Sequence, residues 1–480
     1  MEKTERQSIG ANKWRDNKGK GLVVQPTGFG KTIGTIRQIV VPMLQKAPYK
    51  ILILVHRTKL LEQWKSRLDA EISPKFRGMV RVETVQWYIT NNAIDAVDLL
   101  VVDEIHKFYS EDYIEYINGN KIKFKFNLGL TATPYDKYKR WKLLETIYPI
   151  VDEITQEEAI REGWVSNFIE FNVPVALTDE EIELYKEAVE TVVAGESKFD
   201  CQGKLAIDRA TKVLYGGENN EGVRVTGIAW ATMWAKYKGW NAELAKDDPI
   251  NQLWNPHKII GYAKMIFTGY RDRDAILNHC KSKYEATIAL LRKFKDLKAM
   301  CFSESTVFAD DLKDKYRRQY QDDKMVVYHS QLPSTYMKDS LGNWITYKTG
   351  KKAGERKLFG NTTIKEAVMS QFLSNEARIL STARILDEGF DCEDIRLGII
   401  TSRTSNYNQQ TQRGGRIKRI IPTTPKDVMM IVNLYVANTE DERRLNQAQS
   451  QYTHRVIPVQ SVENVNFDAI GDDEISNNDL

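Results

Sequence analysis

A chain of 480 residues is long enough for roughly two to four domains, each with its own core, which argues against one compact domain. Its 69 Lys+Arg against 65 Asp+Glu leave a net charge of only +4, so any polyanion-binding surface must come from local clustering. Cys201, Cys280, Cys301 and Cys392 form no C-x-x-C pair, no apolar run approaches a membrane span, and the polar stretch Met1 to Lys20 lacks a signal-peptide core. These features argue against a zinc ribbon, a disulfide framework, export and a membrane partner, and the expected location is the cytoplasm.

The first apolar run, Leu22 to Val24, leads into Gln25-Pro26-Thr27-Gly28-Phe29-Gly30-Lys31-Thr32, with the Gly-Lys-Thr ending of a phosphate-binding loop. A glycine-rich turn opening a helix points backbone N–H groups at phosphates, while Lys31 reaches the outer phosphates and the Thr32 hydroxyl takes Mg²⁺. Gln25 stands where the first glycine of that pattern is expected. Next comes Ile51 to Val55, then Leu60, Leu61, Trp64 and Leu68 at helical spacing, as in a crossover helix packed on a parallel sheet. Asp98 to His106 is a buried-strand pattern ending in the carboxylates Asp103 and Glu104, and with the loop it predicts NTP hydrolysis. Asn127 to Leu130 is a fourth strand. The alternation is α/β order, which places the loop and Asp103-Glu104 beyond the carboxyl ends of the strands, where such sheets bind ligands.

Thr178 to Tyr270 reads as mostly helical, an insertion or a third small domain, with Trp230, Trp234, Trp240 and Trp254 among lysines. Trp230 and Trp234, four residues apart, read as a core stripe, with a base-stacking platform as the alternative. Strand patterns resume at Ala299 to Phe302, Met325 to Tyr328, Ile379 to Ser381, Leu397 to Thr401 and Val428 to Val432, without a second phosphate loop. Gly342 to Lys357 has glycine punctuation and many lysines, as in an inserted β-hairpin or loop with a cationic tip. There, Trp344 and Lys348 are read either as solvated or as nucleic-acid contacts. The acidic run Glu463 to Leu480 reads as a disordered tail that could dock a partner protein.

In this order, the signatures resemble the superfamily two helicases and translocases. Besides Pro26 to Thr32 and the D-E-x-H box Asp103 to His106, Leu130-Thr131-Ala132-Thr133-Pro134 resembles the family's coupling motif. Ser381 to Asp391 resembles the motif that touches both nucleic-acid backbone and nucleotide, and Gln412-Arg413-Gly414-Gly415-Arg416-Ile417-Lys418-Arg419 matches Q-R-x-G-R-x-x-R at every specified position. Arg6-Gln7 resembles a short adenine-reading glutamine motif.

The resemblance implies an α/β fold of two RecA-like parallel-sheet domains with the nucleotide cleft between them, plus the mostly helical insertion. The domains fall at 1–170, 171–272 and 273–440, with a C-terminal extension at 441–480. ATP and Mg²⁺ are the implied cofactors. The nucleotide site takes Gln7, Thr27, Gly28, Gly30, Lys31, Thr32, Asp387 and Gly389, with Thr32 and Asp103 on the metal, partly through water. Glu104 is the base or orienter of the attacking water, Arg416 and Arg419 are arginine fingers from the second lobe, and Gln412 lies on their motif. His106, Thr131 and Thr133 couple the site to movement, and His56, Arg57, Thr382 and Arg384 are placed on strand phosphates. His106 and Leu386 to Asp391 look more like the DNA repair and recombination branch than like D-E-A-D RNA enzymes, and the chain is similar to bacteriophage recombination-type helicases that remodel branched DNA. The expected activity is an ATP-dependent DNA helicase, in the host cytoplasm if of phage origin, acting on single-stranded, duplex or branched DNA. A duplex translocase without strand separation, an RNA helicase and a nucleotide-dependent clamp remain the alternatives.

Overall fold

The computed structural model describes residues 1–135, 139–165, 168–219, 222–332, 345–348, 353–357, 361–383, 395–402, 429–449 and 456–466. The described residues of Met1–Pro174, Thr287–Tyr435 and Glu442–Leu480 form one compact unit, and those of Val175–Ala286 with Val436–Asp441 form a second.

The first unit contains two sheets. In the first sheet, β1 (Lys20–Val24), β2 (Ile51–Val55), β3 (Val80–Thr84), β4 (Asp95–Asp103), β5 (Ile122–Thr131) and β6 (Ile150–Glu153) lie in the order β3-β2-β4-β5-β1-β6. Every pair is parallel. All five residues of β2 are buried, as expected where helices cover both faces of a sheet. Alternate residues feed two cores: Ile51, Ile53 and Val55 join Trp14, Ile36 and Trp64 on one face, while Leu52 and Leu54 join Tyr88, Phe108 and Tyr116 on the other. The register pairs Val24 with Thr131 and Asp103 with Leu130, so β1, β4 and β5 end together at one edge.

The helix Lys3–Asp16 is pinned to this sheet by charge. Arg6 Nη1 and Nη2 donate to the two oxygens of Asp152 at 2.8 and 3.0 Å, and Lys13 Nζ donates to Asp152 Oδ1 at 2.7 Å. Gly10 permits the close approach, since a Cβ there would lie 2.7 Å from Asp152 Oδ2. Because the Asp152 side chain is fully buried, Arg6→Ala leaves its charge to Lys13 alone. We expect a loss of about 3 kcal/mol, read as a lower urea midpoint.

The second sheet orders β11 (Met325–Tyr328), β12 (Ile379–Ala383), β10 (Ala299–Ser303), β13 (Leu397–Ile400), β14 (Met429–Val436), β7 (Phe168–Val175) and β15 (Val456–Pro458) in that sequence. The pairs β11–β12, β12–β10, β10–β13, β13–β14 and β7–β15 are parallel. The domain boundary placed at residue 170 therefore cuts through β7, a strand of this second sheet. Long-range polar pairing holds it there: Asn433 Nδ2 donates to Glu170 Oε1 at 2.7 Å and to Asn172 Oδ1 at 2.8 Å, and Gln449 Nε2 donates to the same two oxygens. Outside the strands, Thr346 and Arg356 form an antiparallel bridge, extended by Tyr347 N–H to Glu355 O and Lys357 N–H to Ile345 O. This is hairpin geometry, with Lys348 exposed; Trp344 lies outside the described residues.

The second unit is helical, with Asp179–Ser197, Lys204–Tyr215, Gly227–Tyr237, Pro249–Trp254 and Pro256–His279, beside the short hairpin of β8 (Gly217–Glu218) and β9 (Arg224–Val225). It extends to Ala286, beyond the boundary placed at 272. Ala206, Ala210, Ala231, Ala235, Ile259 and Ile266 make its core, and Trp230 and Trp234 pack against it. Trp234 stacks on Phe199 with ring centroids 5.6 Å apart, Arg209 lies 4.9 Å from the Trp234 centroid, and Lys212 lies 4.7 Å from that of Trp230. The tryptophan stripe is a core stripe whose rings also carry cations.

Among the described residues, Cys201, Cys280 and Cys301 are free, no cluster of three or more His, Cys, Asp or Glu side chains is placed to hold a metal ion, and no helix is long and apolar enough to cross a membrane.

Candidate active site

At the end of β1 the chain turns through Gln25 to Gly30, and a helix begins at Lys31. Gln25 N–H donates to Thr131 O at 2.9 Å, tying the loop to the end of β5. Gly28 and Gly30 both have φ of 89°, in the left-handed region that favours glycine, so the turn depends on them. Thr27 and Thr32 are half-buried, Thr27 in the turn and Thr32 in the helix's first turn.

The N-terminal helix holds this loop from behind. Gln7 Nε2 donates to Phe29 O at 3.0 Å, and one turn earlier Lys3 Nζ donates to Gly28 O at 2.9 Å and to Trp164 O at 2.8 Å. Two consecutive loop carbonyls are thus held by side chains four residues apart on one helix face. In a trans peptide the N–H points opposite to the C=O, so fixing the Phe29 carbonyl also orients the Gly30 amide. Lys3 is half-buried, and burial lowers its pKa.

Lys31 Nζ donates to Gln25 O at 3.1 Å and lies 4.0 Å from Glu104 Oε1. Glu104 has φ of 51°, a left-handed conformation that costs a non-glycine residue about 1–2 kcal/mol. That turn brings its carboxylate toward Lys31 and His106 instead of continuing along β4. Asp103 is buried, and its Oδ2 accepts the indole N–H of Trp64 at 2.7 Å. Burial, and then the neighbouring Glu104 charge, raise the Asp103 pKa. Two adjacent carboxylates, one of them buried, supply the hard oxygen donors that a divalent cation takes.

His106 Nδ1 lies 2.8 Å from Thr131 Oγ1 and 3.4 Å from Glu104 Oε2, and Thr131 Oγ1 accepts the Thr133 N–H at 3.0 Å. A continuous polar line therefore runs from Lys31 through Glu104, His106 and Thr131 to Thr133. Burial pushes the His106 pKa down from 6.5 to about 4, so the imidazole is neutral at neutral pH. As pH falls below roughly 6.5, the unfolded chain takes up a proton here that the folded chain does not, so stability falls with pH. We expect this residue to account for about 2 kcal/mol of lost stability between pH 7 and pH 5. Urea midpoints at the two pH values should converge for His106→Gln by that amount relative to the parent.

The structure thus brings together Gln7, Thr27, Gly28, Gly30, Lys31, Thr32, Asp103, Glu104, His106, Thr131 and Thr133. Their donor set fits a magnesium nucleotide: loop amides and a lysine for phosphate oxygens, with a hydroxyl and a buried carboxylate for the metal. His56 and Arg57 follow β2, and the exposed Arg57 precedes the helix Thr58–Glu71 in an extended conformation. Thr382 does not present its hydroxyl to a strand. It is buried at the end of β12, and its Oγ1 donates to Tyr328 O at 2.9 Å, a constraint set by the pairing of β12 with β11. Arg384, Asp387, Gly389, Gln412, Arg416 and Arg419 lie outside the described residues. Sequence reasoning missed two partners of the site. Trp64 read only as part of a core-facing helix, and Lys3 as one charge in a polar terminus.

Residues 2–86 match the family described as type III restriction enzyme, res subunit, and residues 282–421 match the helicase conserved C-terminal domain. The chain is 23% identical over 416 residues to DNA 3'-5' translocase XPB2 of Sulfurisphaera tokodaii, an alignment covering 83% of this chain and 75% of that protein. Its fold is similar to the Pyrococcus furiosus Hef helicase domain, with a TM-score of 0.51 and 15% identity over 91% of this chain and 97% of that one. These two matches in this order, on a chain whose two parallel-sheet α/β domains have a RecA-like fold, make it similar to the superfamily two helicases and support an ATP-hydrolysing enzyme.

Proposed function

We propose that this protein is a DNA-dependent ATPase that uses hydrolysis to move along, or open, DNA. The observation that carries the reading is the line Lys31–Glu104–His106–Thr131–Thr133, because it joins the phosphate-facing lysine to the coupling motif through hydrogen-bonded or charged neighbours. Lys31 binds the outer phosphate oxygens, and the amides after Gly28 cradle the others. Thr32 and Asp103 hold Mg²⁺, which when bound neutralises charge on the phosphates. Glu104 orients the attacking water and accepts its proton, held in place by its left-handed turn.

From the second lobe, Arg416 and Arg419 supply positive charge to the transferring phosphoryl group, Gln412 acts with them in catalysis, and Asp387 and Gly389 bind the nucleotide. Because those groups and Lys31 come from different lobes, hydrolysis requires closure. His56, Arg57, Arg384, Trp344 and Lys348 grip the strand, mainly through phosphates, so binding is sequence-tolerant and salt-sensitive.

DNA is favoured over RNA because the relative aligned over most of this chain is named as a DNA translocase. The same name favours, as a second reading, translocation without strand separation. Strand opening costs about 1.4 kcal/mol per base-pair step, so a helicase needs a wedge that a translocase does not.

The deciding experiment compares ATPase stimulation by single-stranded DNA, duplex DNA, a three-way junction and RNA, with fork unwinding and triplex displacement assayed alongside. Stimulation by DNA supports the proposal, and displacement without unwinding selects the translocase. An ATPase rate that no DNA raises rejects the proposal.

A further inference from the structure

We propose that Trp64 is a positioning residue for the metal site, holding Asp103 so that its carboxylate is oriented before Mg²⁺ and nucleotide arrive. The inference rests on the reading of Asp103 as a metal-binding carboxylate, and it goes beyond that reading by naming the group that sets its geometry. Three observations carry it.

The first is contact: Trp64 Nε1 donates to Asp103 Oδ2 at 2.7 Å, although the two residues lie 39 apart in sequence. The second is burial, with Trp64 at 1% and Asp103 at 5% exposure, so water competes little for this bond and the carboxylate is held in one orientation. The third is chemistry. Along the helix Thr58–Glu71, Leu60, Trp64 and Leu68 share the buried face, where phenylalanine or leucine could fill apolar space equally well. Tryptophan adds a rigid, uncharged N–H donor. An arginine or lysine in its place would neutralise Asp103 and compete with the metal. The indole fixes one oxygen and leaves the negative charge available to a cation, as outer partners of metal ligands do elsewhere.

Trp64→Phe keeps the ring and removes the donor. Calorimetric titration of ADP at a series of Mg²⁺ concentrations should show the half-saturating Mg²⁺ raised roughly tenfold, with Mg²⁺-free ADP binding unchanged. In an Asp103→Asn background the same substitution should add nothing, because Trp64 acts through that carboxylate. An unaltered Mg²⁺ requirement in Trp64→Phe overturns the proposal, and so does an equal loss of ADP affinity with and without Mg²⁺, which marks general loosening.

Should Trp64→Phe fail to fold, the intact protein can be labelled with ¹⁵N at its indole nitrogens. One indole N–H resonance should then move when Mg²⁺ is added to the ADP complex, and the same resonance should move in Asp103→Asn. A spectrum in which no indole responds to both overturns the proposal. Parental ADP binding that ignores Mg²⁺ altogether rejects the underlying assignment of Asp103, a result distinct from failure of Trp64 alone.

Discussion

Glu104→Gln should slow ATP hydrolysis by about 10²- to 10⁴-fold while leaving ATP binding close to parental. Glutamine preserves the shape of the side chain and can still accept hydrogen bonds, but it cannot take a proton from water. The geometry makes Glu104 the stronger candidate of the two carboxylates for this step. It lies 4.0 Å from Lys31 and 3.4 Å from His106, whereas Asp103 is buried and bonded to an indole. Steady-state phosphate release and equilibrium binding of a non-hydrolysable ATP analogue, measured on the same preparation, separate the two effects. A variant that hydrolyses at the parental rate would remove Glu104 from the chemical step, and one that loses binding instead would make it a structural partner of Lys31.

Arg416→Ala and Arg419→Ala should each lower kcat by about 10³- to 10⁵-fold, the range over which arginine fingers act in phosphoryl transfer. Lysine should not restore either position, because a point charge lacks the planar fork that meets two phosphate oxygens at once. Nucleotide binding by Lys31 and its loop should survive, since those groups belong to the first sheet. Single-turnover hydrolysis at saturating ATP gives the readout, and parental rates in either variant would withdraw that arginine from the mechanism. Taken with Glu104→Gln, these variants test the two halves of the proposed machinery separately.

Much of the site is legible along the chain because its chemistry is local. A phosphate loop needs glycines where φ is positive and a lysine at the start of a helix, and Gly28, Gly30 and Lys31 meet those needs within a few residues. The apolar runs that became β1, β2, β4 and β5 are equally local, since a strand buried on both faces reads as a short continuous hydrophobic stretch. Thr382 shows where such reading stops. Its motif resembles one that touches a strand, yet the parallel pairing of β11 with β12 turns its hydroxyl inward to Tyr328.

The amino-acid order alone carries two sets of α/β elements, a helical insertion and the pattern of a phosphate loop followed by paired carboxylates, because each is encoded by spacing over a few positions. Tertiary structure decides the rest. It assigns β7 to the second sheet through Glu170, Asn172 and Asn433, whose pairing spans more than half the chain. It also sets Lys3 and Gln7 behind the phosphate loop and Trp64 against Asp103. The physical reason is the same in each case. A hydrogen bond between distant residues depends on strand order and register, and those arise only when two buried faces of a sheet are covered at once.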